Sequence, residues 1–158
     1  MNRKDKEIRD PLAMGEILAE AQVCRVGLAL GNDPYVVPMS YVYLGGCLYF
    51  HGSPRGKKID LLQKNDRVCF EASVIGGPVP STCACGWSMR YRSVIGYGKA
   101  SLVESEAEKR EVLAAIVRKY TGRDEGSGAE DIVAKTAVIR IDIDSMTGKQ
   151  SPASPPKA

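Results

Sequence analysis

The chain has 158 residues, enough for one domain with its own core. Hydrophobic residues at 44% and charged residues at 26% exclude a disordered chain. A net charge of +3 is too small an excess to mark a nucleic-acid binder. The five cysteines are odd in number, and Cys24, Cys47 and Cys69 sit in strand-like runs, so they read as reduced thiols of a cytoplasmic protein, not as a disulfide framework. Residues 1–10 are charged and lack an apolar stretch, which predicts no signal peptide, and no run is long enough to span a membrane.

Asp10 before Pro11 reads as an N-cap and first helical residue, and Leu12, Ile17, Leu18 and Ala21 give a short amphipathic helix. Residues 24–30 then alternate, which predicts a strand. Residues 31–34 form a turn cluster, and residues 35–43, rich in β-branched and aromatic side chains, predict a second strand. Pro38 lies inside it and removes a ladder donor, so that strand belongs at an edge, at a bulge, or open to something other than a neighbouring strand. Gly45-Gly46 turns the chain into a third strand over 47–51.

A glycine-containing loop over 52–56 leads to a short helix over 57–64, followed by a strand over 67–74 and a loop over 75–86. Residues 87–103 predict a long strand in which Gly96 and Gly98 mark sharp coiling. Ser105 with Glu108 is a capping box, and Val112, Leu113, Ile116, Val117 and Tyr120 make the apolar stripe of the helix it opens. Residues 122–128 read as a polar linker. In the last strand Ile139, Ile141 and Ile143 face inward, while Arg140, Asp142 and Asp144 face out. The expected organisation is a single domain over 1–150 and a disordered, Pro/Ser-rich tail over 151–158. Six hairpin-linked strands with few helices predict a mainly β, antiparallel barrel and not a doubly wound parallel sheet.

Four stretches carry candidate chemistry. In residues 49–58 a strand ends, a loop with Gly52, Ser53 and Gly56 turns, and a helix begins at Lys57-Lys58. Glycines let backbone approach an anion and lysines neutralise it, although a solvated helix start has the same composition. In residues 87–93, Arg90 and Arg92 share one strand face and Met89, Tyr91 and Ser93 the other, so the pair suits a phosphate or carboxylate, or simply charges an edge. His51 is the single histidine, and Cys83-x-Cys85 lacks the spacing of common zinc motifs, so no metal site is expected. Residues 35–41 offer an interrupted strand to a planar ligand, or form a plain edge.

In sequence order, VCR at 23–25, PYVVP at 34–38, LYFH at 48–51, GKK at 56–58, RVCF at 67–70, WSMRYRSVIG at 87–96 and TGK at 147–149 resemble the FMN-binding split barrels related to pyridoxamine 5′-phosphate oxidase, nearest the nitroimidazole-resistance branch. The resemblance implies a six-stranded split barrel that forms a homodimer with FMN at the interface. It implies that Val36, Val37, Pro38, Met39 and Ser40 line the flavin ring, partly through backbone. His51 and Gly52 would lie beside the ring or ribityl chain, and Lys57 and Lys58 would hold the phosphate. Arg92 and Ser93 would reach the flavin from the partner, at most one of them pointing directly at it.

Gly52 stands where these relatives often carry serine, and the chain shows no equivalent of the oxidase's C-terminal substrate segment. The implied activity is reduction or oxidation of a small organic acceptor such as a nitroimidazole, with His51 as the donor near the substrate. The rival readings are a non-catalytic flavin carrier or sensor, a heme protein with His51 as axial ligand, and a nucleic-acid-binding barrel using Arg90 and Arg92. The expectation is no nucleic-acid partner.

Overall fold

A computed structural model describes residues 4–126 and 128–151. In chain order the elements are β1 (Glu7–Ile8), α1 (Pro11–Glu20), β2 (Cys24–Leu30), β3 (Asp33–Met39), β4 (Tyr41–Leu44), β5 (Cys47–Gly52), α2 (Lys57–Leu62), β6 (Arg67–Val79), β7 (Ser88–Leu102), α3 (Glu106–Thr121), α4 (Glu130–Lys135) and β8 (Ala137–Gln150). The fold is the expected antiparallel split barrel, with eight strands among the described residues instead of six. Two differences account for the count. Residues 35–43 are two strands broken at Ser40, and a two-residue strand, β1, pairs with the end of β8. The predicted tail begins at Ser151, whose N–H donates to the Tyr91 carbonyl at 2.9 Å; residues 152–158 lie outside the described residues.

The order across the sheet is β3-β2-β6-β7-β8-β5-β4. Its two ends, β3 and β4, are consecutive in the chain and separated only by Ser40. That single residue obliges the sheet to curl until its ends meet, and among the described residues no ladder seals the seam. Pro38 accordingly sits on a terminal strand that pairs with β2 alone, opposite Arg25. The turn before β5 uses Gly45 and Gly46 at φ +55° and +83°, the left-handed backbone that a tight two-residue hairpin requires.

Alternation fills the barrel. Cys24, Val26 and Leu28 of β2, Val68, Phe70 and Ala72 of β6, and Ile139 and Ile141 of β8 meet in one core. Asp10 caps α1 by accepting from the Leu12 N–H at 3.0 Å, and Met14, Ile17 and Leu18 close one end of the barrel. Met14 takes the place expected for Leu12, which is exposed. A second, smaller core forms where Val112 and Ile116 of α3 cover Val42, Tyr49 and Val138 on the outside of β4, β5 and β8.

Tyr120 departs from its expected place in the apolar stripe of α3. Its hydroxyl accepts the Tyr41 N–H at 2.9 Å and donates to the Gln22 carbonyl at 2.7 Å, so it ties α3 to the seam. Lys119 beside it donates to the Ala21 carbonyl at 2.9 Å, and its ammonium lies 3.8 Å from the Tyr41 ring centroid. Tyr120→Phe leaves one backbone donor and one acceptor without this partner. Because Tyr120 is partly exposed, the expected cost is about 1 kcal/mol, read as a fall of roughly 2–4 °C in Tm by thermal unfolding.

The β7–β8 pairing carries the main irregularity. Tyr97 pairs with Ser145 and Gly98 with Ile143, so Asp144 is an extra residue on β8. The inward set of β8 therefore changes phase, from Ile139, Ile141 and Ile143 to Met146 and Gly148. Gly96 and Gly98 lie on the inward face at this bend, where a Cβ on Gly96 would overlap the Phe70 ring and one on Gly98 would overlap the Asp142 carbonyl oxygen.

Candidate functional site

Period-two geometry divides the residues expected against a planar ligand. Tyr35, Val37 and Met39 are half-buried and point toward the core, whereas Val36 and Pro38 on the other face of β3, and Ser40 just beyond its end, are exposed. The side chains of residues 36–40 therefore cannot all line one surface. What they share is the backbone of a terminal strand, whose outer row of polar groups has no ladder partner.

The end of β3 meets the β5–α2 corner. Lys58 Nζ lies 3.5 Å from Met39 Sδ, and a Cβ on Gly52 would come within 3.0 Å of that ammonium. Glycine at 52 thus keeps open the space that Lys58 occupies. Lys57 is exposed and sits over the Tyr35 ring at 4.8 Å. Tyr35 opens the candidate stretch 35–41 but is not among the residues that the resemblance sets against the flavin; it shares the inward phase of Val37 two positions on. Gly56, at φ +111°, caps α2 with no side-chain hydrogen bond, and Ser53 Oγ accepts from the Arg55 N–H at 3.2 Å to shape the loop.

The electrostatics of the corner are one-sided. Among the described residues neither Lys57 nor Lys58 forms an ion pair with a carboxylate. Half-burial pushes the Lys58 ammonium below its ordinary pKa. A soft thioether is the partner it has, so the corner holds a half-desolvated cation suited to an anion.

His51 lies on the outward face of β5, opposite Val138 of β8. Desolvation by its surroundings, and secondly the Lys58 charge, push its imidazole below the ordinary 6.5. The ring is neutral at pH 7. As pH falls below 6.5 the unfolded chain takes up this proton before the folded one does. Stability therefore rises with pH in the window just under 6.5 and is lost on acidification. As the single histidine, His51 gives one ring signal in an NMR titration, and Lys58→Ala is expected to raise its pKa toward 6.5. An unchanged midpoint would separate the two groups electrostatically.

Arg92 and Ser93 are not brought to this corner within one chain. Arg92 pairs with Val74 and Gln150 and forms an ion pair with Glu20; the Ser93 hydroxyl donates to the Lys149 carbonyl at 3.5 Å. Gly52 pairs with Ala137 at the other end of β8, so the two groups are separated by about 40 Å of strand contour. As expected from alternation, Arg92 has the inward phase of Val94 and Ser93 the outward phase. Arg92 also lines a cleft of about 520 Å³ with Arg90, Val74 and Gln150. Gly148 of the TGK run is buried because Ile8 and Met14 pack where its side chain would be.

A curled antiparallel sheet left open at one seam, with a cationic corner beside the terminal strand, defines a split-barrel protein with a candidate anion site. The pyridoxamine 5′-phosphate oxidase family profile matches residues 11–150, and the chain belongs to that family. Among solved structures, it is similar to a candidate 5-nitroimidazole antibiotic resistance protein from Bacteroides thetaiotaomicron, at 37% identity and a TM-score of 0.79, over 91% of this chain and 86% of that one. It shares its fold with a flavocytochrome from Azotobacter vinelandii, at 23% identity and a TM-score of 0.84, over 100% of this chain and 75% of that one. It also shares the fold of an FAD-binding protein from Mesorhizobium loti, at 24% identity and a TM-score of 0.69, covering 90% and 96% of the respective chains. No curated protein matches the chain. Among the described residues no helix is long and apolar enough to cross a membrane, and no cluster of three metal-ligating side chains occurs.

Proposed function

We propose that this protein binds FMN and uses it to reduce or oxidise a small organic acceptor, with nitroimidazoles as the first class to test. One observation carries the reading. Lys58 is a half-buried ammonium with no carboxylate partner among the described residues, beside a glycine that makes room for it and a lysine that adds to its field. A phosphate monoester supplies the charge this corner lacks. The fit extends along β3, where the unpaired edge at Val36, Val37, Pro38, Met39 and Ser40 presents backbone donors and acceptors to a flat heterocycle. When bound, FMN supplies the electron-transfer chemistry.

The chain's own residues orient and shield. Lys57 and Lys58 hold the phosphate, Gly52 leaves room for the Lys58 ammonium, and His51, neutral at pH 7, donates a hydrogen bond on the acceptor side. Arg92 and Ser93 come from a second copy of the chain. The outward face of the sheet supports that pairing. Val36, Cys69 and Tyr97 fall in one row across β3, β2, β6 and β7 through Gly27, and Val36, Tyr97 and neighbouring Ile95 are 63%, 53% and 45% exposed.

Titration with FMN, riboflavin and FAD, read by flavin fluorescence, tests the reading. FMN is expected to bind at least a hundredfold tighter than riboflavin, which lacks the phosphate, and the complex is expected to have the mass of a dimer. Equal affinity for the two, or a Soret band in the purified protein with no flavin bound, would overturn it.

A further inference from the structure

Cys83 and Cys85 stand apart from the other thiols. Cys24 is fully buried, and desolvation pushes it up to about 12. Cys47 is buried, raised by burial, and bonded to Asp142 at 3.3 Å. Cys83 and Cys85 are both exposed at the tip of the β6–β7 hairpin, away from the α2 corner in the fold.

The backbone there holds the two cysteines at a spacing that a disulfide can bridge. Residues 84–86 form a single 3₁₀ turn, closed by the Gly86 N–H donating to the Cys83 carbonyl at 3.0 Å. A helical residue between two others sets their Cα atoms about 5.5 Å apart, inside the span a disulfide accepts. The Ser81 hydroxyl lies 3.8 Å from Cys83 Sγ and accepts the Cys83 N–H at 3.4 Å. These bonds, Ser81's first, favour the thiolate of Cys83 and hold its pKa below the ordinary value. Gly86 completes the cradle, since a Cβ there would collide with the Ser81 side chain and lie 3.3 Å from Cys83 Sγ. An exposed thiolate with a second thiol in reach is a nucleophile with its own resolving group.

We propose that Cys83 and Cys85 form a reversible dithiol–disulfide site that exchanges with low-molecular-weight disulfides, Cys83 attacking and Cys85 resolving. The Cys83 thiolate attacks one sulfur of a disulfide RSSR. A Cys83–SR bond forms, the S–S bond breaks, and one RS⁻ leaves. The Cys85 thiol then gives up its proton to solvent and attacks Cys83 Sγ, which forms the Cys83–Cys85 bond and expels the second RS⁻. Two protein thiols are oxidised and one RSSR is reduced to two RSH. The site is independent of the flavin reading and uses none of its residues.

The test uses the full chain with any flavin it retains, equilibrated in buffers of stepped reduced-to-oxidised glutathione ratio, quenched with acid, alkylated and mapped by mass spectrometry. The expected result is loss of two hydrogens and of alkylation at Cys83 and Cys85 together, restored on returning to reduced glutathione. Cys24 and Cys47 stay reduced. Trp87, the only tryptophan and two residues from Cys85, gives a second readout as a reversible fluorescence change with the same midpoint. Cys85→Ser is expected to trap one glutathionyl group on Cys83, and alkylation of Cys83 in the wild type at pH 7 to run at least tenfold faster than that of any other cysteine. Alkylation of both thiols at every ratio, or a Cys85→Ser chain that traps no adduct, would overturn the proposal.

Discussion

Gly98→Ala is expected to destabilise the protein by about 3 kcal/mol or more, lowering Tm by roughly 6–12 °C. The new Cβ would fall on the Asp142 carbonyl oxygen and lie 2.9 Å from Ile141 Cγ2. Both belong to β8, the strand paired with β7 at this point. A side chain can rotate away from an intruding methyl, but a carbonyl held in a ladder cannot. Relief requires β8 to move outward at the bulge, where Asp144 already strains the register.

Gly96→Ala is the informative comparison. There the intruding methyl meets the Phe70 ring first, with the Ser145 carbonyl oxygen at 2.7 Å. Trimming Phe70 to Leu should recover part of that loss and none of the loss at Gly98. Gly77→Ala, with nothing within 4 Å, should be close to neutral. Urea unfolding of the three glycine variants, and of Gly96→Ala and Gly98→Ala each combined with Phe70→Leu, measures all of this. A Gly98→Ala chain as stable as the wild type would mean that β7 and β8 do not pack this closely.

These two glycines also show what can be read from a sequence and what cannot. Their spacing within a strand-like run announces a bend, because glycine in a strand is otherwise a loss. Alternation in residues 24–30 and 137–143 gives the inward faces directly, and Pro38 limits its strand to an edge, a bulge or an open side, of which the structure has the edge. The remaining features are set by contacts between distant segments. Ser40 divides β3 from β4 with no Gly or Pro beside the break except Pro38 itself, because closure of the barrel makes the break, not a local turn. The phase change at Asp144 looks like the end of a strand when only alternation is read. The segment Gly76-Gly77-Pro78 has turn composition, yet β6 continues to Val79 because pairing with β7 resumes at Pro78 after a register shift. Helix α4 has only Ala129 at its N-cap, with no side-chain bond to announce it.

The candidate site divides in the same way. The charge pattern at Lys57 and Lys58 and the glycines around it are local, so they were legible. The approach of Lys58 to Met39, and of Lys57 to Tyr35, depends on where α2 lands against β3, which no local pattern encodes. The resemblance sets residues 36–40 against the ligand as a block, because a resemblance transfers a segment more readily than a face. The pleat then separates Val37 and Met39 from Val36, Pro38 and Ser40.

Replacing Lys57 and Lys58 together with alanine is expected to weaken FMN binding by about 10²–10⁴-fold while leaving riboflavin binding nearly unchanged, on the proposed reading of the corner. Each charge-assisted hydrogen bond to a phosphate is worth roughly 1.5–3 kcal/mol, and two are removed. The single variants should be unequal. Lys58 is half-buried with a lowered pKa, so an anion would relieve its desolvation, and its loss should cost the larger share. Lys57 is exposed above Tyr35, so its contribution is screened and should shrink as salt rises from 0.05 to about 0.5 M. The variants should fold, since neither ammonium forms an ion pair with a carboxylate among the described residues. His51 gives an independent check. FMN phosphate on Lys58 would offset that charge, the lesser of the two influences that lower the imidazole after desolvation, so the part of the His51 depression that Lys58→Ala removes should shrink when FMN binds the wild type and be absent in the double variant. Unchanged FMN affinity in the double variant would remove the phosphate from this corner, whatever else the barrel binds.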